Sequence, residues 1–566
     1  MKSKRLVGVR RSVKTSSSFL LCLLFSAAVW QADADATVIF ANSGRDHCTV
    51  EYAIIAHNQK TPFPERDGCK AGDGNDVIKV EAPVVTIDPF MLPPGTQTIK
   101  NGSLEIVAAN DTGCTELKGW AYFTILPGAA LTLRGIGIEV NGNESRSVID
   151  NDGGTLEIAP GRNCVPSFSN MDGAGMRPNT GGILFNRDGG KSRIDGVRFE
   201  NSAATSLGGA IFIDSGTVII DQALSFETSI LRNNNAAEGG AIYVNRGASL
   251  RIASNNFILA NNRAVTGRGG AIYNNGGTVS IERADILPSP SLENVALTSN
   301  SARFGSGGAV FSDAGTLRVD GIEIAGNSAG NGGGVALANI RAESPATIIR
   351  TRFDGNSSQS NGGAVYLGAA SFLNVSQGTF EHNLATGQGG GIYVDSFGEL
   401  HVDNSTFVGL TASNLEGIVV AAGGIGEIAF STFYGALFGV GLETINLRDS
   451  ILQKVTCQPG SVFDESGNLK FESTGCPASV PVTDPDLDPF LLSNHGGPTP
   501  TIALLPGSPA INRIMPANCV DSFGAPNRID QRGYKRPAPR SANCDVGAFE
   551  FASSPAPLPG RRPGRR

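Results

Sequence analysis

The chain has 566 residues, more than one globular core usually holds, so two or three units or one elongated array are expected. Charged residues make up 17% and the net charge is -7, which leaves no basic face for nucleic acid. The 73 glycines follow no strict triplet, which excludes collagen, and short Val/Ile/Thr/Phe runs between Gly, Asn, Asp and Ser give an all-β composition.

Residues 1–36 read as a secretory signal peptide. Lys2, Lys4, Arg5, Arg10, Arg11 and Lys14 form a basic region, and Phe19 to Trp30 is a short apolar run. Ala32-Asp33-Ala34 and Ala34-Asp35-Ala36 both fit the small-residue cleavage pattern. The apolar run falls short of the roughly 20 residues that cross a bilayer. Cys22 lies inside it without a preceding small residue, so no lipoprotein anchor is expected. The chain is therefore expected to be exported, to the medium, the cell surface or the periplasm, with no transmembrane anchor.

Eight cysteines follow the signal: Cys48, Cys69, Cys114, Cys164, Cys457, Cys476, Cys519 and Cys544. Eight allow 105 disulfide pairings. Pairing between sequence neighbours would staple the two ends of the chain, because the long middle has no cysteine. A zinc site would need tight Cys-x-x-Cys or Cys/His spacing, and none occurs.

The segment 37–100 contains Cys48-Thr49-Val50-Glu51-Tyr52-Ala53-Ile54 and Gly68-Cys69-Lys70-Ala71-Gly72-Asp73-Gly74-Asn75-Asp76. It resembles the CSLREA module that opens many bacterial secreted β-helix proteins, and is expected to be an N-terminal cap. Its Gly-x-Gly-x-Asp resembles one calcium nonapeptide, but such sites work as tandem stacks, and a turn into a strand at Val77–Val80 is the better reading.

Strands are expected at Ser103–Ala108, Tyr122–Ile125, Ala130–Leu133 and Thr155–Ile158. From Gly181 one phrase then recurs: two glycines, a small residue, an aliphatic, usually an aromatic. It starts at Gly181, Gly208, Gly239, Gly269, Gly307, Gly332, Gly362 and Gly389, and a degraded copy starts at Gly423. Successive starts lie 25 to 38 residues apart. A fixed phrase at a loose period signals a solenoid, and three short strands per unit point to a right-handed parallel β-helix over residues 101–445. About a dozen coils at ~4.8 Å each would make a rod roughly 60 Å long.

The aliphatic fourth residue suits an inward stack. Strand alternation would then turn the fifth residue outward, as a ladder of Phe185, Phe212, Tyr243, Tyr273, Phe311, Tyr366 and Tyr393 broken at Ala336. The three phenylalanines keep the opposite parity open. These seven aromatics are the candidate ligand-binding residues, since aromatics pack against sugar faces. A second ladder, of asparagines bonding from coil to coil, is expected at Asn201, Asn235, Asn262, Asn300, Asn327, Asn356 and Asn383.

With Phe353-Asp354-Gly355-Asn356 and Phe380-Glu381-His382-Asn383, the glycine phrase is similar to the repeats of polymorphic outer-membrane proteins and related bacterial surface β-helices. Those relatives end in a translocating barrel, and no series of amphipathic strands suggests one here. Residues 446–551 instead resemble the C-terminal module called choice-of-anchor Q. That likeness rests on Asp449-Ser450-Ile451-Leu452, Asp484-Pro485-Asp486-Leu487-Asp488-Pro489, Asn494-His495-Gly496-Gly497-Pro498-Thr499, Asp530-Gln531-Arg532-Gly533 and Cys544-Asp545-Val546-Gly547-Ala548-Phe549-Glu550. The Pro/Arg tail 552–566 is expected to be solvated.

No catalytic residue, metal ligand or cofactor is nominated. β-Helices often carry polysaccharide lyases and hydrolases, but the fold alone does not license that step. No pair of carboxylates set for glycoside hydrolysis stands out. Asp484, Asp486 and Asp488 are expected to cap turns, Glu381-His382 to form an exposed turn, and His495 shows no proton-transfer partner. The expected function is an adhesin-like surface or secreted rod that binds an extracellular glycan or a surface protein. The alternative is a polysaccharide lyase or glycoside hydrolase.

Overall fold

A computed structural model describes residues 37–41, 48–60, 69–70, 72–87, 97–109, 113–140, 146–170, 179–222, 227–284, 295–409, 411–412, 417–435, 437–439 and 445–552. The signal-peptide reading and all but the first residue of the tail lie outside them.

Almost every strand runs parallel to its neighbours in three long sheets, which form the faces of a right-handed β-helix. The first face has 16 strands, from Thr37–Ala41 to Val462–Ser466. The second has 15, from Val84–Ile87 to Leu469–Phe471, and the third has 14, from Thr98–Ile99 to Thr456–Cys457. A strip of seven short strands, from Asn235–Ala236 to Thr411–Ala412, lies between the second and third faces. Sixteen strands at a spacing of ~4.8 Å make a stack about 70 Å long. The coils thus continue past both ends of 101–445, beginning with Thr37 and ending beyond Leu469.

Alternation sorts each strand. On the first face Leu250 and Ile252, Val279 and Ile281, and Leu317 and Val319 point inward in register, all essentially inaccessible. On the second face Phe353, Phe380, Phe407 and Phe433 stack inside the coils with ring centroids 4.8, 4.5 and 4.8 Å apart. Similar apolar side chains over one another make a continuous core, as coil stacking requires.

The all-β expectation meets one exception. Val50–Gln59 is an α-helix, α1, inserted between the first two strands of the first face and packed against both. Val50, Ala53, Ile54 and His57 share its buried side, at helical spacing. His57 Nδ1 lies 2.6 Å from Asp76 Oδ2, both side chains fully buried. Asp76 also accepts the Asp73 and Gly74 amides, at 3.1 and 3.3 Å, so the Gly-x-Gly-x-Asp sequence is a carboxylate-capped turn into the strand Asn75–Val80.

Four disulfides join sequence neighbours: Cys48–Cys69, Cys114–Cys164, Cys457–Cys476 and Cys519–Cys544. After the last coil, Leu487–Ser493 and Thr501–Leu504 make the one antiparallel pair of strands among the described residues. The chain then runs back as an irregular strap over the corners between the first and second faces. Gln531 Nε2 donates to the Gly378 carbonyl at 3.0 Å, Ser522 donates through N and Oγ to Asp403 at 2.8 and 2.6 Å, and Gly547 N donates to Asp449 O at 2.8 Å.

Candidate functional site

The glycine phrase builds the corner into the third face. At Gly307 the backbone takes φ +72°, a conformation that favours glycine. At Gly308 a Cβ would lie 2.1 Å from the Gly333 carbonyl oxygen of the next coil, so only a bare backbone lets the coils close up. Beyond this corner Val310 points into the core, Phe311 away from it and Ser312 inward again.

That parity sets all seven aromatics in one outer column. Phe185, Phe212, Tyr243, Tyr273 and Phe311 occupy matching positions on consecutive strands, as do Tyr366 and Tyr393, with Ala336 between the two groups. Ring centroids are 5.2, 5.5, 4.9 and 5.0 Å apart in the first group and 5.7 Å in the second. Phe212, Tyr243, Tyr273 and Phe311 form a cluster of their own, separate from the core, with Phe185 and Tyr366 packed against it.

The column divides by exposure. Phe212, Tyr243, Tyr273 and Phe311 are only 4–6% exposed, with Leu207 packed against the cluster and Arg268 lying over Phe311 at 4.8 Å. Burial pushes the Tyr243 phenol up to about 12 and raises that of Tyr273. These four rings present little surface to a ligand. Phe185, Tyr366 and Tyr393 are half-buried, and Tyr366 Oη donates to Asp395 at 2.6 Å.

Beside Phe185 lies a cleft of about 280 Å³. Its floor is the outer column continued toward the N-terminus: Thr124, Asp150 and Phe185 stand in register on three neighbouring strands. Arg187 holds Asp150 through Nε and Nη2, at 3.0 and 3.2 Å, and Asp152 at 2.8 Å. Tyr122 and Arg146 line one side, the guanidinium 4.6 Å from the ring centre, and Asn179 and Thr180 also line the cleft.

The asparagine ladder is present with a corrected register. Asn234, Asn262, Asn300, Asn327, Asn356 and Asn383 are fully buried. Each of the first five donates from Nδ2 to the next Oδ1, at 2.9 to 3.0 Å. Asn201 and Asn235 are not rungs; Ser202 and Asn234 hold those places, with Ser202 N donating to Asn234 Oδ1 at 3.0 Å. The rung lies three residues after the inward side chain of the second face, which is Phe199 or Leu231 here.

Asp354, Glu381 and His382 bring potential ligand atoms within 4.8 Å of one another. Arg352 already satisfies the carboxylates, bonding Glu323 at 2.7 Å, Asp354 at 2.9 Å and Glu381 at 2.5 Å. The group works as an ion-pair lattice between coils, with His382 in an exposed turn. Asp484 and Asp488 cap turns through the Asp486 and Phe490 amides, both at 3.0 Å. His495 Nδ1 lies 3.1 Å from Thr501 Oγ1. Asp403 and Asp449 are pushed up to about 7 by burial, but they lie beneath the strap rather than in a cleft.

The Chlamydia polymorphic membrane protein repeat matches residues 350–368 and 377–395. These two stretches take in Phe353 to Asn356 with Tyr366 and Phe380 to Asn383 with Tyr393, and the chain is similar to that repeat there. No curated protein and no solved structure matches the chain. No described helix is long and apolar enough to cross a membrane.

Proposed function

We propose that this protein is an exported rod, secreted or held at the cell surface, that binds a glycan or a partner protein along its third face and performs no chemistry on it. The observation that carries the reading is the outer aromatic column. The core is closed by aliphatic and phenylalanine stacks without it, yet the same outward position is aromatic in seven coils, and three of those rings are only partly buried. The likeness of two coils to a membrane-protein repeat and the four disulfides support export. On the same reading 37–100 is a CSLREA-like cap and 446–551 a choice-of-anchor Q-like module. The alternative of a lyase or hydrolase has less behind it: among the described residues Asp150 is the one carboxylate lining the cleft, and Arg187 clamps it.

Fractionating the producing cell tests the location, and the mature chain is expected in the medium or on the surface. Glycan-array and surface-extract binding test the activity. Tyr366→Ala with Tyr393→Ala is expected to abolish binding with little change in melting temperature. Tyr243→Ala with Tyr273→Ala is expected to lower the melting temperature instead, since those rings are sealed. A cytoplasmic chain, or release of reducing sugar from a bound polysaccharide, would overturn the proposal.

A further inference from the structure

The fourth strip of strands begins at Asn235, and the chain preceding Gly208 and Gly239 lies alongside the column, with Leu207 against the rings. The parallel bridges from Thr180 to Leu207 and from Leu207 to Glu238 mark this wall. At its N-terminal end the column loses its aromatics and continues as Asp150 and Thr124, and there the cleft opens. Phe185 therefore has one side stacked on Phe212, centroids 5.2 Å apart, carries the Arg187 guanidinium 5.7 Å from its ring centre, and lines the cleft as the end ring beside that cation.

We infer that this cleft is a binding site for one or two neutral pyranose rings, with Phe185 as the platform and Asp150 as the acceptor for ligand hydroxyls. This inference rests on the proposed binding along the third face and names its ligand class.

The chemistry follows from the lining. A pyranose has an apolar face of C–H groups and a rim of hydroxyls, so it needs a ring beside polar groups of fixed direction. Phe185 supplies the ring. Asp150 stands next to it in register, about 4.8 Å along the column, and its carboxylate is oriented by two bonds from Arg187. A carboxylate accepts from hydroxyls strongly, and one already held in place loses little entropy on binding. Thr124 continues the floor, and Ser147 Oγ donates to the Thr180 carbonyl at 3.0 Å, tying two lining segments together.

Charge and size narrow the class. Among the described lining residues Arg146 and Asp150 balance each other, and Asp152 and Asp188 flank Arg187 nearby. An anionic uronate would meet this excess of carboxylates, so neutral sugars are favoured. At about 280 Å³ the cleft falls just below the usual span of ligand sites, roughly 300 to 1,000 Å³. A long polysaccharide would overrun it; a chain end or a short branch fits.

The test is saturation-transfer NMR and calorimetry on the full chain, with the methyl glycosides of glucose, galactose, mannose and N-acetylglucosamine, and methyl glucuronide as the anionic control. At least one neutral glycoside is expected to bind and the glucuronide not to. Phe185→Ala and Asp150→Asn are each expected to weaken binding by about ten-fold or more. Arg146→Ala, at an exposed position, serves as a lining variant that leaves the coils intact. Competition of the free glycoside against array-bound oligosaccharides separates a free sugar ligand from a glycan displayed on a partner. No neutral binding, equal binding of the glucuronide, or binding indifferent to Phe185→Ala in a folded protein overturns the inference. If array or partner binding then persists and depends on Tyr366 and Tyr393, the cleft assignment falls and binding along the face stands; if no binding of any kind is found, both fall.

Discussion

Asn300 shows how much a single side chain carries in this architecture. Its Nδ2 donates to the Leu259 carbonyl and to Asn327 Oδ1, both at 3.0 Å, while its Oδ1 accepts from Asn262 N at 2.9 Å and Asn262 Nδ2 at 3.0 Å. Each rung thus satisfies backbone groups at a corner where no sheet can. Asn300→Ala strands buried polar groups on both neighbouring coils, at about 1–3 kcal/mol apiece, and a clear drop in melting temperature is expected. Asn235→Ala, one residue off the ladder, is expected to leave it within a degree or two of the parent. The period of this ladder was legible from the chain, but its register in the first two coils was not. Asn233-Asn234-Asn235 offers three amides in a row, and Ser202 hides a rung behind a different residue type. Counting three positions from the inward Phe199 and Leu231 would have found both.

At the level of elements, corners and strap behave differently from strands. Gly308→Ala would force a methyl group against the Gly333 carbonyl oxygen, and the whole corner would have to shift. Gly189, at φ +79° with nothing within 4 Å of a built Cβ, leads only into solvent. Thermal unfolding is expected to show Gly308→Ala as severely destabilised and Gly189→Ala as mildly so, by about 1 kcal/mol from backbone strain. The strap carries a pH dependence. Burial raises both Asp403 and Asp449 to about 7, with Arg448 near each, Arg536 beside Asp449, and Asp521 and Glu465 opposing them. In the folded protein these carboxyls keep protons that an unfolded chain releases near pH 4. Their contribution is therefore complete below about pH 4 and lost as pH rises through about 7. The melting temperature is expected to fall between pH 5 and pH 8, and Asp403→Asn with Asp449→Asn to flatten that slope. Helix α1 is hard to read from the chain because its ten residues sit among strands and end before any helical pattern accumulates; the spacing of Val50, Ala53, Ile54 and His57 is the available signal.

For the whole molecule, the architecture was readable because its repeat is written in the coils from Gly181 onward, in glycine corners that only close stacking requires; the coils before Gly181 lack the phrase, and their membership of the stack was less legible. The neighbour pairing of cysteines was also visible as the arrangement that would staple the ends. Availability for binding was not readable. Burial of Phe212, Tyr243, Tyr273 and Phe311 comes from chain flanking the column, and that depends on where the wall begins rather than on the phrase itself. Because each coil touches mainly its neighbours, stability is distributed along the stack. Reduction is expected to raise hydrogen exchange around Cys48–Cys69 and Cys519–Cys544 while the coils from about 230 to 410 stay protected.

The strap has a bearing on how the molecule is assembled. Gln377 and Gln531 are 154 positions apart along the chain, yet bonded. Winding needs only short-range closures, each coil stacking on a neighbour. The strap has nothing to grip until those coils exist, and it spans several of them when it lands. It therefore acts as a final clasp: a molecule with its last coils unformed has no dock for Gln531, so protease resistance around Ser522 and Gln531 reports completed winding.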